Sequence, residues 1–377
     1  MALTPVIPQE LIDAIIDHLF SDRSALAACS LVCKAWISRS RHHLLSDVCL
    51  SPITVPFILS LPPPSAFASY GRRLMIRSMA SLPDGIEHFS SIEALFINHF
   101  NHGPATLSRL PSIFPVITVL ELQSDLIVTF NLLINFICSF PLLRTLTLSR
   151  FWLTSPELTP NNLRLPESLR ELNIRTPKLN FVLNWLNSLE HTPRLSTIRM
   201  YDLLEEHIPS VSDTLRVLGS SLQHLELELW DHAHADIFCE HINFNHNTAL
   251  RSFTLHNGWP KLFRDLLESG IHHSQLEEAT VTIYADRVPH LDLLDWASLD
   301  RLITDPRTAF RLTRLTFRVF TLSEMSEVTE DVVQSRLPLC AAHGIVRFVS
   351  ERERLQSLSK ALTGPIARRS WGDLLSG

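Results

Sequence analysis

Glycine is scarce in this sequence, with only 10 glycines against 23 prolines in 377 residues. The chain contains no Gly-x-Ser-x-Gly, Gly-x-Gly-x-x-Gly or Gly-x-x-x-x-Gly-Lys motif. It therefore offers neither the strained turn that presents a nucleophilic serine nor a glycine-rich loop that cradles phosphate. No residue can be nominated as catalytic, and we do not expect an enzyme.

Long runs of one charge and long apolar runs are also lacking. The net charge is −6, and no stretch of Lys and Arg forms a basic stripe that would contact a phosphate backbone. No segment reaches the roughly 18 consecutive apolar residues of a membrane-spanning helix, and the first residues do not have the layout of a signal peptide. We therefore expect no nucleic-acid or membrane partner and a cytoplasmic or nuclear location.

The cysteines do not form the regular framework of a disulfide-rich protein. They lie at irregular spacings, at Cys29, Cys33, Cys49, Cys138, Cys239 and Cys340. In a reducing compartment they are expected to be free, buried side chains. The residue types that zinc prefers cluster at Asp231, His232, His234, Asp236, Cys239, His241 and His246. Their spacing fits no zinc module and the stretch suits a polar loop, so we expect no metal and no other cofactor.

What the sequence does have is a repeat. Apolar residues follow the pattern L-x-x-L-x-L, and its copies begin at Ile92, Ile117, Leu143, Leu169, Leu195, Leu222, Leu250, Leu276 and Leu312. Most successive copies start 25 to 28 residues apart, and the last interval is 36. Weaker copies lie near Leu45, Leu74 and Val346. Side chains at the fourth and sixth positions share one face of a strand, so this face is predicted to be core.

Helix-like segments with apolar residues at a spacing of three to four separate the strands, at residues 130–140, 181–189, 211–218 and 261–267. A strand, a loop and a helix in one period resemble the leucine-rich repeat. The resemblance predicts an α/β fold over residues 47–350: a leucine-rich-repeat-like solenoid with parallel strands on the concave face and helices on the convex face.

The repeats depart from that family at position nine, where an asparagine or cysteine is usual. This sequence has Phe100, Asp125, Phe151, Pro177, Leu203 and Trp230 there. Without an asparagine ladder, the loops are expected to satisfy their backbone groups in other ways and to form an irregular arc.

The segment before the repeats has a different pattern. Pro8 opens a predicted helix with a broad apolar face made of Leu11, Ile12, Ile15, Ile16, Leu19 and Phe20. A second helix carries Leu26, Ala27, Leu31 and Val32, and a third begins near Lys34 with Trp36. Three helices this short bury little surface alone, so another surface is expected to cover them. The plainer interpretation is that the apolar stripe is ordinary core.

The residues Ile7-Pro8-x-Glu10-Leu11 with Ile15 and Leu19, followed by Leu26 and Leu31-Val32-Cys33-Lys34-x-Trp36, resemble an F-box over residues 5–46. The whole chain is similar to fungal F-box proteins with irregular leucine-rich repeats. The resemblance implies docking on a Skp-type adaptor and, through it, on a cullin scaffold. By position it assigns Pro8, Leu11, Ile15 and Leu19 to the adaptor, with Leu26, Leu31, Val32 and Trp36 shared between that interface and internal packing.

The outward strand positions predict where a target protein would bind. Arg175, Arg199 and Tyr201 are expected beside an acidic strip at Glu226 and Glu228, and His224 and His256 lie on the same face. A mixed polar face suits selective recognition of a protein, although such a face can also be simply solvated. Trp152, Trp230 and Trp259 follow strands, where each either anchors a partner or packs under its own loop.

These observations favour the substrate-recognition subunit of a cullin-type (SCF) ubiquitin ligase. The alternative is a leucine-rich-repeat scaffold that binds a protein without a ubiquitin role. A hydrolase or metalloenzyme would require bound metal or a turnover that depends on His232 or Cys239. Residues 351–377 are expected to form a tail or a cap.

Overall fold

The computed structural model describes residues 7–56, 70–79, 81–98, 104–124, 127–154, 164–191, 193–230, 235–256, 275–284, 296–305, 312–320 and 330–350. The chain forms two compact units, Met1–Phe181 and Val182–Gly377. Several predicted features lie outside the described residues: Phe100, Asp125, Asp231, His232, His234, Trp259, the helix-like segment 261–267 and the tail 351–377.

The first unit begins with three helices, α1 (Gln9–His18), α2 (Arg23–Val32) and α3 (Lys34–Leu45). Pro8 precedes the first helical residue, which suits proline because it lacks the N–H that a first turn leaves unpaired. Asp22 caps α2, since its side chain accepts a hydrogen bond from the Ala25 N–H at 2.9 Å. The helices lie where the apolar pattern of the sequence predicts them.

The remainder of the first unit consists of parallel strands and intervening helices. Its main strands are paired in the order β1 (Asp47–Leu50), β2 (Arg73–Arg77), β3 (Ala94–Asn98), β4 (Val119–Gln123), β6 (Thr145–Ser149) and β8 (Glu171–Arg175). Between strands lie a 3-10 helix (Ile86–Phe89), α4 (Pro104–Ile113) and α5 (Phe130–Cys138). Two short strands, β5 (Ile127–Thr129) and β7 (Trp152–Thr154), form a separate parallel pair.

The division between the units falls inside α6 (Leu179–Ser188). The second unit has parallel strands in the order β9 (Thr197–Leu203), β10 (His224–Leu229), β11 (Ser252–His256), β12 (Glu278–Tyr284), β13 (Arg314–Phe320) and β14 (Val346–Ser350). Its helices are α7 (Ile208–Leu218), α8 (Ala235–His241), α9 (Trp296–Thr304), α10 (Glu330–Arg336) and α11 (Pro338–Ala342), with 3-10 turns at Glu205–His207 and Gly219–Ser221.

The repeat motif forms the interior of each unit. In the first unit Leu120, Leu146 and Leu172 are in register on neighbouring strands, and all three side chains are buried. The second unit repeats this arrangement with Leu225 and Phe253. The prediction of an α/β leucine-rich-repeat-like fold is therefore confirmed, and strands also occur at the three weak copies of the motif.

One local prediction was wrong. The stretch that contains Cys239 and His241 was expected to be a polar loop, but Ala235–His241 is a helix. The buried side chains of Phe238 and Ile242 anchor it to the interior. These two apolar residues at i and i+4 were the signal for a helix, and the surrounding histidines and carboxylates obscured it.

Because the asparagine ladder is missing, individual polar side chains form hydrogen bonds to loop carbonyls instead. The buried Thr176 hydroxyl donates a hydrogen bond to the Phe151 carbonyl at 2.6 Å. In the second unit, the buried Asn247 amide donates to the carbonyls of Leu215 and Gly219, at the end of α7. The loops thus pair their carbonyls by different means in different repeats, as the sequence predicted.

Candidate functional site

The N-terminal helices enclose a very small core. Ile12 and Ile16 of α1 and Leu26 of α2 are buried together. Leu19, Trp36 and Leu44 pack around them and stay partly exposed. Because Leu26 is completely buried, its side chain supports the helices from inside and does not belong to the surface that a partner would contact in this conformation.

Polar contacts hold the helices in place around this core. The Asp17 carboxylate of α1 accepts two hydrogen bonds from the Arg39 guanidinium of α3, at 2.5 and 2.6 Å. It also lies 2.7 Å from His43 Nε2. The hydrogen bonds from Arg39 and His43 hold the pKa of Asp17 well below its usual range. In the last turn of α3, next to His43, the Leu44 carbonyl accepts a hydrogen bond from the Arg23 guanidinium at 2.8 Å.

An apolar surface remains on the outside of these helices. Leu11 and Ile15, one turn apart on α1, are 56% and 49% exposed, and Leu31 at the end of α2 is 86% exposed. The set of large exposed apolar side chains in this segment is Ile7, Leu11, Ile15, Phe20, Leu31 and Val32. We call these six residues the apolar helix surface. Such exposure on an ordered helical segment is typical of a surface that another protein covers.

A hydrogen bond brings two parts of the apolar helix surface to the same end of the segment: Ile7, before the start of α1, and Leu31 with Val32, at the end of α2. The Gln9 side-chain amide donates to the Ala35 carbonyl at 3.1 Å. The start of α1 therefore lies beside the junction of α2 and α3, which directly follows Leu31 and Val32.

Of the residues assigned to the adaptor from the sequence, Pro8, Leu11, Ile15, Leu31 and Val32 are exposed. Leu19 and Trp36 are half-buried, and Leu26 is the buried exception. Ile7 and Phe20 were not assigned to the adaptor from the sequence, although both side chains are large, apolar and exposed.

A second candidate surface lies on the outward strand positions of the second unit. The Glu226 carboxylate accepts a hydrogen bond from the Tyr201 hydroxyl at 2.9 Å, and it lies 3.1 Å from Arg199 Nε and 2.6 Å from His256 Nε2. The Thr282 hydroxyl is 3.0 Å from His256 Nδ1. Four successive strands, β9 to β12, thus contribute one linked polar cluster.

The sequence predicted an acidic strip at Glu226 and Glu228, but the Glu226 carboxylate is paired with Arg199 and His256. Burial raises the pKa of Glu226, but hydrogen bonds from His256 and Tyr201 and the charge of Arg199 outweigh burial and lower the pKa overall. Because Glu226 already has basic partners, it does not offer an unpaired negative charge to a target. Arg175 belongs to the first unit, at the exposed end of β8, whereas His224 and Glu228 occupy outward positions of β10.

Two of the tryptophans singled out in the sequence, Trp152 and Trp230, lie within the described residues, and neither is packed under its loop. Trp152 is 54% exposed and Trp230 is 67% exposed. Their rings are therefore available as anchors for a partner, which is one of the two interpretations that the sequence left open.

The cysteines also depart in part from expectation. All six are free, and Cys29 and Cys340 are buried, but Cys33 is exposed because it occupies the extended junction between α2 and α3. Burial raises the pKa of the Cys138 thiol to about 11, so this thiol stays protonated at neutral pH. Within the described residues, no group of three or more His, Cys, Asp or Glu side chains could hold a metal ion.

No family model matches the chain, and no curated protein matches it. Among solved structures, the leucine-rich-repeat-containing protein LegL7 from Legionella pneumophila is similar, with a TM-score of 0.46 and 16% sequence identity over 77% of this chain and 96% of that chain. The helices that the structure describes are all too short or too polar to span a lipid bilayer. The fold assignment rests on the strand register and the buried motif positions themselves.

Proposed function

We propose that the chain is the substrate-recognition subunit of a cullin-type ubiquitin ligase. In this proposal residues 5–46 act as an F-box that docks a Skp-type adaptor, and the repeats of residues 47–350 bind the target protein. The chain performs no bond chemistry of its own and acts by holding the target near the ligase machinery, which raises the local concentration of the reacting groups.

The observation that carries this proposal is the apolar helix surface. Burying one Leu or Ile side chain contributes about 1.5–3 kcal/mol, and this segment leaves several of them in water while its own core contains three buried residues. A partner that covers Leu11, Ile15, Leu31 and Val32 would therefore gain a large apolar contact on helices that are already formed. Preformed helices lose little conformational entropy on binding.

The residues proposed to bind a target occupy outward strand positions: Arg175 in the first unit, and Arg199, Tyr201, His224, Glu226, Glu228 and His256 in the second unit. In the second unit, the cluster around Glu226 supports this assignment, because a hydrogen bond holds the Tyr201 ring and an ion pair holds the Arg199 guanidinium at defined positions. Ordered Tyr and Arg side chains are the types that contribute most to protein interfaces.

Co-expression with a Skp-type adaptor tests the docking step. We expect a stable complex with the full chain, and loss of the complex when Pro8→Ala is combined with Leu11→Asp, because a carboxylate would be buried against apolar partner atoms. Size-exclusion chromatography of the purified mixture measures the complex. Ser38→Asp is a matched control, since it adds the same charge at an exposed polar position of α3.

Failure of the wild-type chain to form the complex, or equal binding by the double variant, would contradict the ligase proposal. The remaining candidate would then be a leucine-rich-repeat scaffold that binds a protein without a ubiquitin role.

A further inference from the structure

The outward face of the first unit contains a row of side chains with an unusual composition. Cys49, Met75, Phe96 and Glu121 occupy successive strands and are in register as direct neighbours. All four are partly exposed. We call them the central row. Outward positions of a solvated sheet are normally polar, so three apolar side chains in line on this face require an explanation.

Glu121 at one end of the row has no partner among the described residues. Its neighbours in register are Phe96 and Thr147, and within the described residues no hydrogen bond joins the Glu121 carboxylate to the Thr147 hydroxyl. Burial raises the pKa of Glu121, and no positive group in the described part of the chain lowers it again. A half-buried carboxylate without a donor is costly to keep in a free protein and is relieved when a cation binds beside it.

The charges on β1 and β2, at one side of the row, give it a direction. Arg73 forms a two-pronged ion pair with Asp47, at 2.5 and 2.6 Å, so these charges compensate each other. Arg77 lies beside the other part of the row, with its Nε 2.8 Å from Met75 Sδ. A bound cation is therefore attracted to Glu121, at one end of the row, and repelled by Arg77, which lies beside Met75.

The distance between neighbouring residues of the central row indicates which secondary structure of a partner would fit it. Neighbouring strands lie about 4.8 Å apart, so Glu121 and Met75 are separated by about 9.6 Å. Two turns of an α-helix laid across the strands advance about 10.8 Å. Two same-face steps of an extended chain advance about 13.4 Å, which is a much poorer match.

We propose that the central row binds an amphipathic helix of a partner protein, with a Lys or Arg side chain on Glu121 and apolar side chains one and two turns away on Phe96 and Met75. This goes beyond the proposed function, because the central row contains none of the target-binding residues assigned there. It is also independent of any ubiquitin role.

A selection experiment with the full chain tests the inference. The probe is a displayed library of helical peptides of about five turns with one randomised face. We expect the selected peptides to carry Lys or Arg followed or preceded by apolar residues at intervals of three or four. Glu121→Arg should weaken a selected peptide at least about tenfold in fluorescence anisotropy, and selection on this variant should return Asp or Glu at the same peptide position.

Glu121→Gln is the milder variant and should weaken binding in the same direction, and Phe96→Ala should also weaken it. Glu87→Gln removes an exposed carboxylate from the 3-10 helix of the same unit and should leave binding unchanged. Circular dichroism establishes that each variant is folded.

Selected peptides without the basic and apolar pattern, or peptides that bind Glu121→Arg and the wild type equally, would overturn the inference. Binding that appears only after removal of residues 351–377 would also overturn it, because the row would then be occupied by this chain's own tail. Adaptor capture is measured on the same variants and should not change. If the wild-type chain captures no adaptor while the peptide result stands, the ligase proposal fails and this inference survives.

Discussion

Asp17 connects α1 and α3 through two basic side chains, and its carboxylate is partly exposed. Exposed ion pairs contribute little to stability, but a carboxylate held by two N–H groups of one guanidinium and by a histidine is better ordered than most. The pKa of Asp17 lies below its usual value. The carboxylate therefore stabilises the folded helices when it is charged, and protonation removes this contribution.

We predict that Asp17→Asn lowers the stability of the N-terminal helices by about 1 kcal/mol at neutral pH. A carboxyl whose pKa is depressed on folding contributes fully above its unfolded pKa, here the usual value of 3.8. The difference between wild type and variant should therefore shrink as the pH falls below that value. Hydrogen exchange of α1 amides, with both proteins at each pH, measures the difference.

Asp13→Asn is the matched control, because the Asp13 carboxylate accepts a hydrogen bond from the neutral Gln9 side-chain amide, whereas Asp17 accepts hydrogen bonds from a guanidinium. It should change exchange by less than Asp17→Asn at neutral pH. A difference between wild type and Asp17→Asn that stays constant down to acidic pH would show that the carboxylate charge is not what stabilises these helices.

At the scale of elements, α9 and α11 depend on one buried side chain. Asp300 of α9 is buried, and its carboxylate accepts hydrogen bonds from the N–H groups of Leu339 and Cys340, both at 2.8 Å. These N–H groups belong to the first turn of α11, which is only five residues long. A helix of this length does not form alone in water, so Asp300 supplies the capping that positions it.

We predict that Asp300→Ala destabilises the α11 region by about 2–4 kcal/mol, because one buried and one partly buried N–H group lose their acceptor. Asp300→Asn keeps one acceptor oxygen and should have a smaller effect. Hydrogen exchange of α11 and β14 reports the change. Asp331→Ala removes an exposed carboxylate from α10 and should cost less than about 1 kcal/mol. Equal protection of α11 in wild type and Asp300→Ala would refute the capping role.

At the scale of the whole molecule, stability comes from an interior that successive repeats share. Leu146 lies between Leu120 and Leu172 on neighbouring strands, and all three are buried. A single repeat cannot cover its own apolar face, so each one depends on the repeats beside it. Removal of one inward side chain therefore affects two neighbours.

We predict that Leu146→Ala destabilises the protein by about 2–5 kcal/mol. The double variant with Leu172→Ala should depart from the sum of the single effects, because the two cavities adjoin. Urea unfolding followed by circular dichroism measures both. Thr145→Ala, at an outward position of the same strand, should change stability by less than about 1 kcal/mol. Equal effects of the inward and outward variants would contradict a shared interior.

Much of the repeat region was predictable, because the positions of its strands follow from the short-range periodicity of apolar residues. The L-x-x-L-x-L pattern located the inward residues of the strands, including Leu146 and Leu225. The helix Ala235–His241 was missed because a short amphipathic segment rich in His and acidic residues resembles a loop. The central row was missed because an apolar residue at an outward strand position, such as Phe96, does not interrupt the pattern.

By itself the sequence determined that this chain repeats a strand and a helix with their apolar faces inward, because alternation along a strand and the helical period depend only on neighbouring residues. Tertiary structure alone decided which apolar residues stay outside. Ile12 and Ile16 face the helix core, while Leu11 and Ile15 on the same helix are exposed. The tertiary structure also brings the Glu226 carboxylate within hydrogen-bond distance of His256, which lies 30 positions further along the chain. Burial and ion pairing depend on which segments meet in space, and local periodicity does not specify those meetings.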